Sequence, residues 1–255
     1  MKKIYDIFSI NKKKILITGA ANGNGAIIAK ALGSAGGDLY LIDSDFKNLM
    51  IVADQIEKQT SKLVKRFLVD LNDTKKLNEF LNQHYDFDVV INNAGITRGN
   101  HLFDYTDEDW ELTHRVNLYA PFKIIQKISE KMVLKKRGSI INITSLAAEI
   151  GFPGNPAYVA FKGALKQLTK AVSCDLAGSG VRINSIGPGY IKTNMTKKSW
   201  NNKKLRAKRT DRTSLNRWGV PSDLVGIVIF LSSEASSYIT GQEFYIDGGW
   251  LAKGL

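Results

Sequence analysis

The sequence predicts a doubly wound α/β fold in a single domain. Seven short apolar strands alternate with segments long enough to be helices, which points to a parallel sheet covered on both faces. No internal repeat, low-complexity tract or Pro/Gly/Ser-rich linker divides the 255 residues. Right-handed crossovers between parallel strands then leave the doubly wound arrangement.

Each element follows in order. "KILIT" (14–18) is a β-rich run, followed by a helix-compatible stretch at 23–35. "DLYLID" (38–43), a polar helical stretch (45–60) and "KLVKRFLVD" (62–70) come next. After a further helix-like segment, "DVVINN" (88–93) gives a fourth strand, and a long helical region covers about 106–136. "GSIINIT" (138–144) is the fifth strand, the stretch "AYVAFKGALK" (157–166) lies in the next helix, and "VRINSIGPG" (181–189) is the sixth strand. A basic segment leads to the helix "SDLVGIVIFLSS" (222–233) and a last strand, "EFYID" (243–247).

Composition narrows the function classes. Hydrophobic residues make up 44% and charged residues 24%, ordinary for a soluble chain, and no run approaches the ~20 apolar residues of a membrane span. The opening "MKKIYDIFSINKKK" fails as a secretory signal, because Asp6 interrupts its apolar stretch and Lys12, Lys13 and Lys14 follow it. The single Cys174 excludes an internal disulfide, and the cytoplasm is the expected compartment. The formal charge is +12, of which a net +9 falls between Tyr190 and Trp218. That segment reads either as solvated surface or as a patch facing an anionic substrate or partner. Nucleic acid is not expected, since Trp200 and Trp218 are its only stacking aromatics after Tyr190.

In such sheets ligands bind beyond the carboxyl ends of the strands. After the first strand stands "TGAANGNG", with Thr18, Gly19, Asn22, Gly23, Asn24 and Gly25; its glycines allow a sharp turn and close approach to a pyrophosphate at the following helix. After the second comes Asp43, able to accept from both adenosine ribose hydroxyls and to repel a 2′-phosphate; no Arg or Lys follows directly. NAD is therefore expected over NADP. Asp43 could instead cap a helix, a role open equally to Ser44 or Asp45. After the third strand comes Asp70, placed for an adenine edge, beside Leu71; after the fourth, "NNAG" with Asn93, Ala94 and Gly95; after the fifth, Ser145. Tyr158 and Lys162, at i and i+4, share one helix face, as in many amphipathic helices.

With these motifs in this order, and with Asn117 in "RVNL" and "PGYIKT" holding Pro188, Gly189, Ile191 and Thr193, the chain resembles the short-chain dehydrogenase/reductase family almost end to end. The resemblance implies a Rossmann fold with a seven-stranded parallel sheet, NAD (NADH) as cofactor with NADP the lesser candidate, and a catalytic set of Asn117, Ser145, Tyr158 and Lys162. In that reading Tyr158 is the proton donor or acceptor, a nearby Lys162 ammonium lowers its pKa, and Lys162 also holds the nicotinamide ribose. Ser145 steadies the substrate oxygen, and Asn117 holds a proton-relaying water. Thr18, Gly19, Asn22, Gly23, Asn24, Gly25, Asp43, Asp70, Leu71, Asn93, Ala94, Gly95, Pro188, Gly189, Ile191 and Thr193 would join Tyr158 and Lys162 around the cofactor. Asn24 and Phe161 depart from the residues common at their positions, Ile and Ser.

The resemblance also divides the chain 1–255 into a cofactor-binding half (about 12–145), a catalytic helix and substrate loop (about 146–220) and an oligomerisation segment (about 221–255). The loop at 190–218 is expected to be a lid of one or two short helices. A homotetramer built from dimers is implied, with no membrane partner and no metal: His84, His101 and His114 lack ligand spacing. Cys174 reads as a structural residue among apolar helix neighbours. The opening, "NRWGVPSDL" and "DGGWLAKGL" look most like sugar-acid and polyol dehydrogenases of the family, gluconate 5-dehydrogenase-like members among them, and a basic lid suits a small anionic substrate. The rival inside the family is a 3-oxoacyl-carrier-protein reductase. A nucleotide-binding regulator without turnover is disfavoured by the intact catalytic set.

Overall fold

The structure is a computed structural model describing residues 4–253; the outermost residues of the opening and closing stretches quoted above lie outside it. The described chain begins with a single helical turn, α1 (Ile4–Ile7), and continues β1 (Lys14–Thr18), α2 (Gly23–Ser34), β2 (Asp38–Asp43), α3 (Phe46–Thr60), β3 (Lys65–Leu68), α4 (Thr74–Gln83) and β4 (Val89–Asn92). Then follow α5 (Asp107–His114), a π-helical turn (Arg115–Tyr119), α6 (Ala120–Leu134), β5 (Gly138–Ile143), α7 (Pro156–Asp175) and β6 (Val181–Pro188). Two short helices, α8 (Lys197–Asn201) and α9 (Lys203–Asp211), precede α10 (Val225–Ser232) and β7 (Glu243–Ile246).

The seven strands form one sheet in the order β3-β2-β1-β4-β5-β6-β7, every neighbouring pair parallel. Strand order reverses between β1 and β4, which opens a crevice at their carboxyl ends. Side chains alternate across the sheet as period two requires. Ile15, Ile17, Leu41 and Ile91 pack with α2, α3 and α10 on one face; Leu16, Ile42, Val90 and Ile140 pack with α4 and α6 on the other. Both layers are dry, so β1 and β4 are apolar at every inner position.

Local signals set the boundaries. Asp45 caps α3 by accepting from Asn48 N (3.1 Å), Asp73 caps α4, Thr106 caps α5, and Pro156 occupies the first turn of α7. The capping alternative for Asp43 is thereby removed. The third strand is shorter than its apolar run: only Lys65–Leu68 pair with β2, while Val64 N turns aside to Glu57 Oε1 (2.8 Å). The long helical region is one rod with the π turn inserted between α5 and α6. Among the described residues no helix is long and apolar enough to cross a membrane.

Candidate active site

The loops after β1 and β4, neighbours in the sheet, are laced together. Thr18 Oγ1 accepts from the backbone N of Asn93 (3.1 Å) and of Ala94 (3.0 Å). Asn93 Nδ2 returns hydrogen bonds to Thr18 O and Gly19 O, both at 3.0 Å. Gly19 (φ +65) turns the chain in the left-handed region, and a Cβ there would stand 2.8 Å from Ala94 Cα. A side chain at Gly25 would collide with the Gly19 carbonyl, so the helix α2 seats directly against the loop. The loop thus presents the amino end of α2 to a cleft of about 310 Å³.

Asp43 stands at the rim of that cleft with its carboxylate fixed: Oδ2 accepts from Ala21 N and Oδ1 from Asp45 N, both at 2.9 Å. Each oxygen keeps lone pairs for further donors. Asn22 Nδ2 reaches Asp45 Oδ2 (3.1 Å), so the glycine loop and the β2–α3 turn hold one another. Gly19, Asn22, Gly23, Asn24, Asp70, Leu71, Asn93, Ala94, Gly95 and Thr193 also line the cleft. Asn24 carries a buried Oδ1 with no hydrogen-bond partner, an acceptor left for a ligand donor. Thr18 and Gly25 act from behind, and Pro188 closes β6. Gly189 and Ile191 border a separate cavity of about 190 Å³ instead. Ile191 is buried there and bridges to Gly219. Cleft residues not named from the sequence are Ile42, Val69, Ile96, Val116, Asn194 and Met195, each within two residues of one that was. The larger cavity, about 680 Å³, lies at the opposite end of the sheet around Lys13, Asp88 and Arg182.

The four expected catalytic side chains converge where β4, β5 and α7 meet. Asn117 is wholly buried in the π turn, a local widening often found at functional sites. Its Oδ1 accepts from Ile96 N and its Nδ2 donates to Ile96 O, both at 2.8 Å, tying the helix to the loop after Asn92. A side chain at Gly95 would press on Lys162 Nζ at 3.3 Å and Asn117 Oδ1 at 3.4 Å, so glycine lets those two groups lie side by side. Ser145, just past β5, lies within reach of the Tyr158 phenol and accepts from Ala147 N (3.1 Å). Burial pushes the Tyr158 phenol up, and Ser145 pulls the other way. Lys162, 3% exposed, donates to Ile143 O (2.6 Å), with its Nζ 5.8 Å from the centre of the Tyr158 ring. Burial lowers the Lys162 ammonium to about 8, against the pull of Glu243. In this geometry, then, burial sets the Tyr158 level and not Lys162.

Over the site, the basic segment forms two short helices whose arginines face aromatic rings. Arg206 lies over Trp200 (5.1 Å), Arg209 over Tyr190 (4.2 Å) and Arg212 over Trp250 (5.2 Å). The spacing of three places successive guanidinium groups along one side of α9 and of the residue that ends it, Arg212. Tyr190 in turn packs on Trp218 (5.2 Å) and Trp250 (5.0 Å). Tyr190 acts electrostatically on Tyr158, which puts the ring cluster within reach of the Tyr158 phenol. Elsewhere, no group of metal-ligating side chains occurs among the described residues. Cys174 is exposed, not structural: α7 buries Phe161, Leu165 and Thr169, and position 174 falls off that stripe.

A family model described as enoyl-(acyl carrier protein) reductase matches residues 19–251. The 5-keto-D-gluconate 5-reductase of Escherichia coli (strain K12) is 35% identical over 252 residues, covering 96% of this chain and 98% of the relative. A 3-oxoacyl-[acyl-carrier-protein] reductase of Thermotoga maritima is 35% identical over 241 residues, covering 93% and 97%. The crystal structure of a gluconate 5-dehydrogenase from Burkholderia cenocepacia J2315, in complex with NADP and tartrate, superposes with a TM-score of 0.92 at 30% identity over 99% of this chain and 100% of that one. Fold, site and comparisons agree: the chain belongs to the short-chain dehydrogenase/reductase family, NAD(P)-dependent oxidoreductases acting on CH–OH groups.

Proposed function

We propose that the chain interconverts a secondary alcohol and a ketone on a small anionic, sugar-derived substrate, using NAD and with Tyr158 as acid and base. The observation that carries this reading is the convergence of Ser145, Tyr158 and Lys162 at the carboxyl end of β5, opposite Gly95 and Asn117. The glycine cradle at Gly19 and Gly25 and the orphaned Asn24 Oδ1 fit a dinucleotide whose nicotinamide, when bound, accepts or returns a hydride. Asp43 supports NAD: its fixed carboxylate stands where a 2′-phosphate would bring like charge. The cofactor of the Burkholderia cenocepacia structure, NADP, is the other member of the pair to be tested.

In the oxidising direction the Ser145 hydroxyl orients the substrate oxygen, and Tyr158 takes its proton. Lys162, with N–H groups to spare beyond Ile143 O, holds ribose hydroxyls. Asn117, through Ile96, keeps the loop after Asn92 in register with Lys162. The basic lid and the gluconate-related relative favour a carboxylated sugar over an acyl thioester. We further read the protein as a cytoplasmic homotetramer of dimers, with residues 190–218 closing over the substrate.

Purified protein assayed for NADH or NADPH formation against sugar acids, polyols and acyl-thioester analogues tests the reading. Turnover of a sugar acid with NAD, lost by at least ~10³-fold in Tyr158→Phe while NADH still binds, supports it. Turnover confined to NADP and a 3-oxoacyl thioester overturns both the substrate and the Asp43 argument.

A further inference from the structure

Behind the Ser145–Tyr158–Lys162 face runs a buried polar row that the proposed reaction leaves unused. Asn92 Nδ2 donates to Asn142 Oδ1 (2.8 Å), Asn142 Nδ2 donates to Thr169 Oγ1 (2.9 Å), and Ser185 Oγ donates to the same hydroxyl (2.8 Å). The row crosses β4, β5, α7 and β6 and ends on β7 at Glu243. There the Thr144 hydroxyl is shared between Ile186 O and Glu243 Oε1, and Ser185 also lies within hydrogen-bonding reach of the carboxylate. Glu243 Oε2 is buried and has no hydrogen-bond partner among the described residues.

A half-buried carboxylate with one oxygen bonded and the other covered but bare calls for a nearby cation or a proton. Lys162 holds Ile143 O while Glu243 holds Thr144, so the two charges grip consecutive residues at the carboxyl end of β5. We infer that Glu243 is a positioning residue: its carboxylate is the counter-charge that keeps the Lys162 ammonium protonated beneath the cleft. The inference rests on the role proposed for Lys162.

The surrounding charges leave that pairing room to act. Burial pushes the Glu243 carboxyl up, while the Thr144 and Ser185 hydroxyls and then, on α7, Lys166 and Lys162 pull it down. Lys166 is already engaged by Glu149, whose Oε1 also accepts from Tyr245 OH (2.6 Å). Tyr245 follows Glu243 on β7 and Asp247 comes just past the strand; burial, then Glu243 and Asp247, push the Tyr245 phenol up. On the cleft side of Lys162 stands Tyr158, with its ring centre 5.8 Å from Nζ, and Tyr190 acts on Tyr158 in turn. Of all of these, Glu243 is the group that raises Lys162.

The test is a side-chain nitrogen NMR titration of Lys162, assigned by the loss of its resonance in Lys162→Met, in wild type, Glu243→Gln and Glu243→Asp. Gln keeps the shape and removes the charge, so the Lys162 midpoint should fall by about one unit or more, a tenfold change in proton affinity. Asp keeps the charge one methylene farther away and should fall in between. Turnover at neutral pH should rank wild type, Asp, Gln; a purely space-filling role reverses Asp and Gln. Should the Gln variant fail to fold, the Asp variant decides, its midpoint required to lie below wild type. An unmoved Lys162 overturns the pairing whatever the substrate. A moved Lys162 in a wild type that turns over no sugar acid leaves the pairing standing and removes the substrate reading.

Discussion

Lys162 is a cation kept where its burial costs stability. Its folded value near 8 lies below the unfolded 10.5, so between these values the unfolded chain binds the extra proton and stability rises with pH. Below about 8 the penalty is constant, on the order of 3 kcal/mol with the pull of Glu243 already included. Lys162→Met should remove it, less about 1 kcal/mol for the Ile143 carbonyl left bare. We expect the variant to melt roughly 5 °C higher at pH 7, the two curves converging near pH 10 in calorimetry. A lower melting point at pH 7 would contradict this account. Asp43 works on selectivity instead: Asp43→Asn should shift the NADP/NAD ratio of kcat/KM by about tenfold or more toward NADP, read from paired kinetics. Asp43 was legible in the sequence because it ends the strand that follows the glycine-rich loop, 18 residues past Gly25, where a carboxylate can meet ribose hydroxyls; Glu243 was not, because "EFYID" gives no sign that its first residue points into a polar pocket under another strand's end.

At the scale of elements, the loops lean on one another more than on their own propensities. Gly25→Ala forces Cβ into the Gly19 carbonyl, and we expect at least ~10-fold weaker NADH binding by fluorescence titration together with a lower melting temperature. The segment proposed as a lid is held by stacking: Arg209→Ala removes the guanidinium from Tyr190 and Trp218, a loss of about 1 kcal/mol. Limited proteolysis within 203–212 should then run roughly fivefold faster, and KM should rise more than kcat falls. An unchanged cleavage rate would show that α9 is held by something else. Strand and helix order could be read ahead because period-two and apolar runs survive in one dimension. The ring cluster could not, since its members at 152, 190, 200, 218 and 250 come together only after β6 and β7 pair. The π turn was hidden for a similar reason: "RVNLY" is ordinary helix sequence, and the widening follows from Asn117 reaching for Ile96.

Across the whole molecule, one sheet of parallel strands puts every candidate site residue at the same end, and the reversal between β1 and β4 fixes where the cleft opens. Trp110 and Phe122 remain exposed along the α5–α6 rod, and Phe103 just before it. Apolar surface of this kind suits the proposed dimer faces, and sedimentation should give a tetramer that dissociates through dimers. The stacked arginines of α9 carry a last consequence. Lys197, Lys198, Lys203, Lys204 and Lys208 face solvent, whereas Arg206 and Arg209 are partly covered and sit on rings. Ionic strength reaches the two sets differently, because solvent screens the first and largely misses the second. Capture of an anionic substrate should therefore weaken as salt is raised, while the closed lid, once formed, goes on turning over at nearly the same rate.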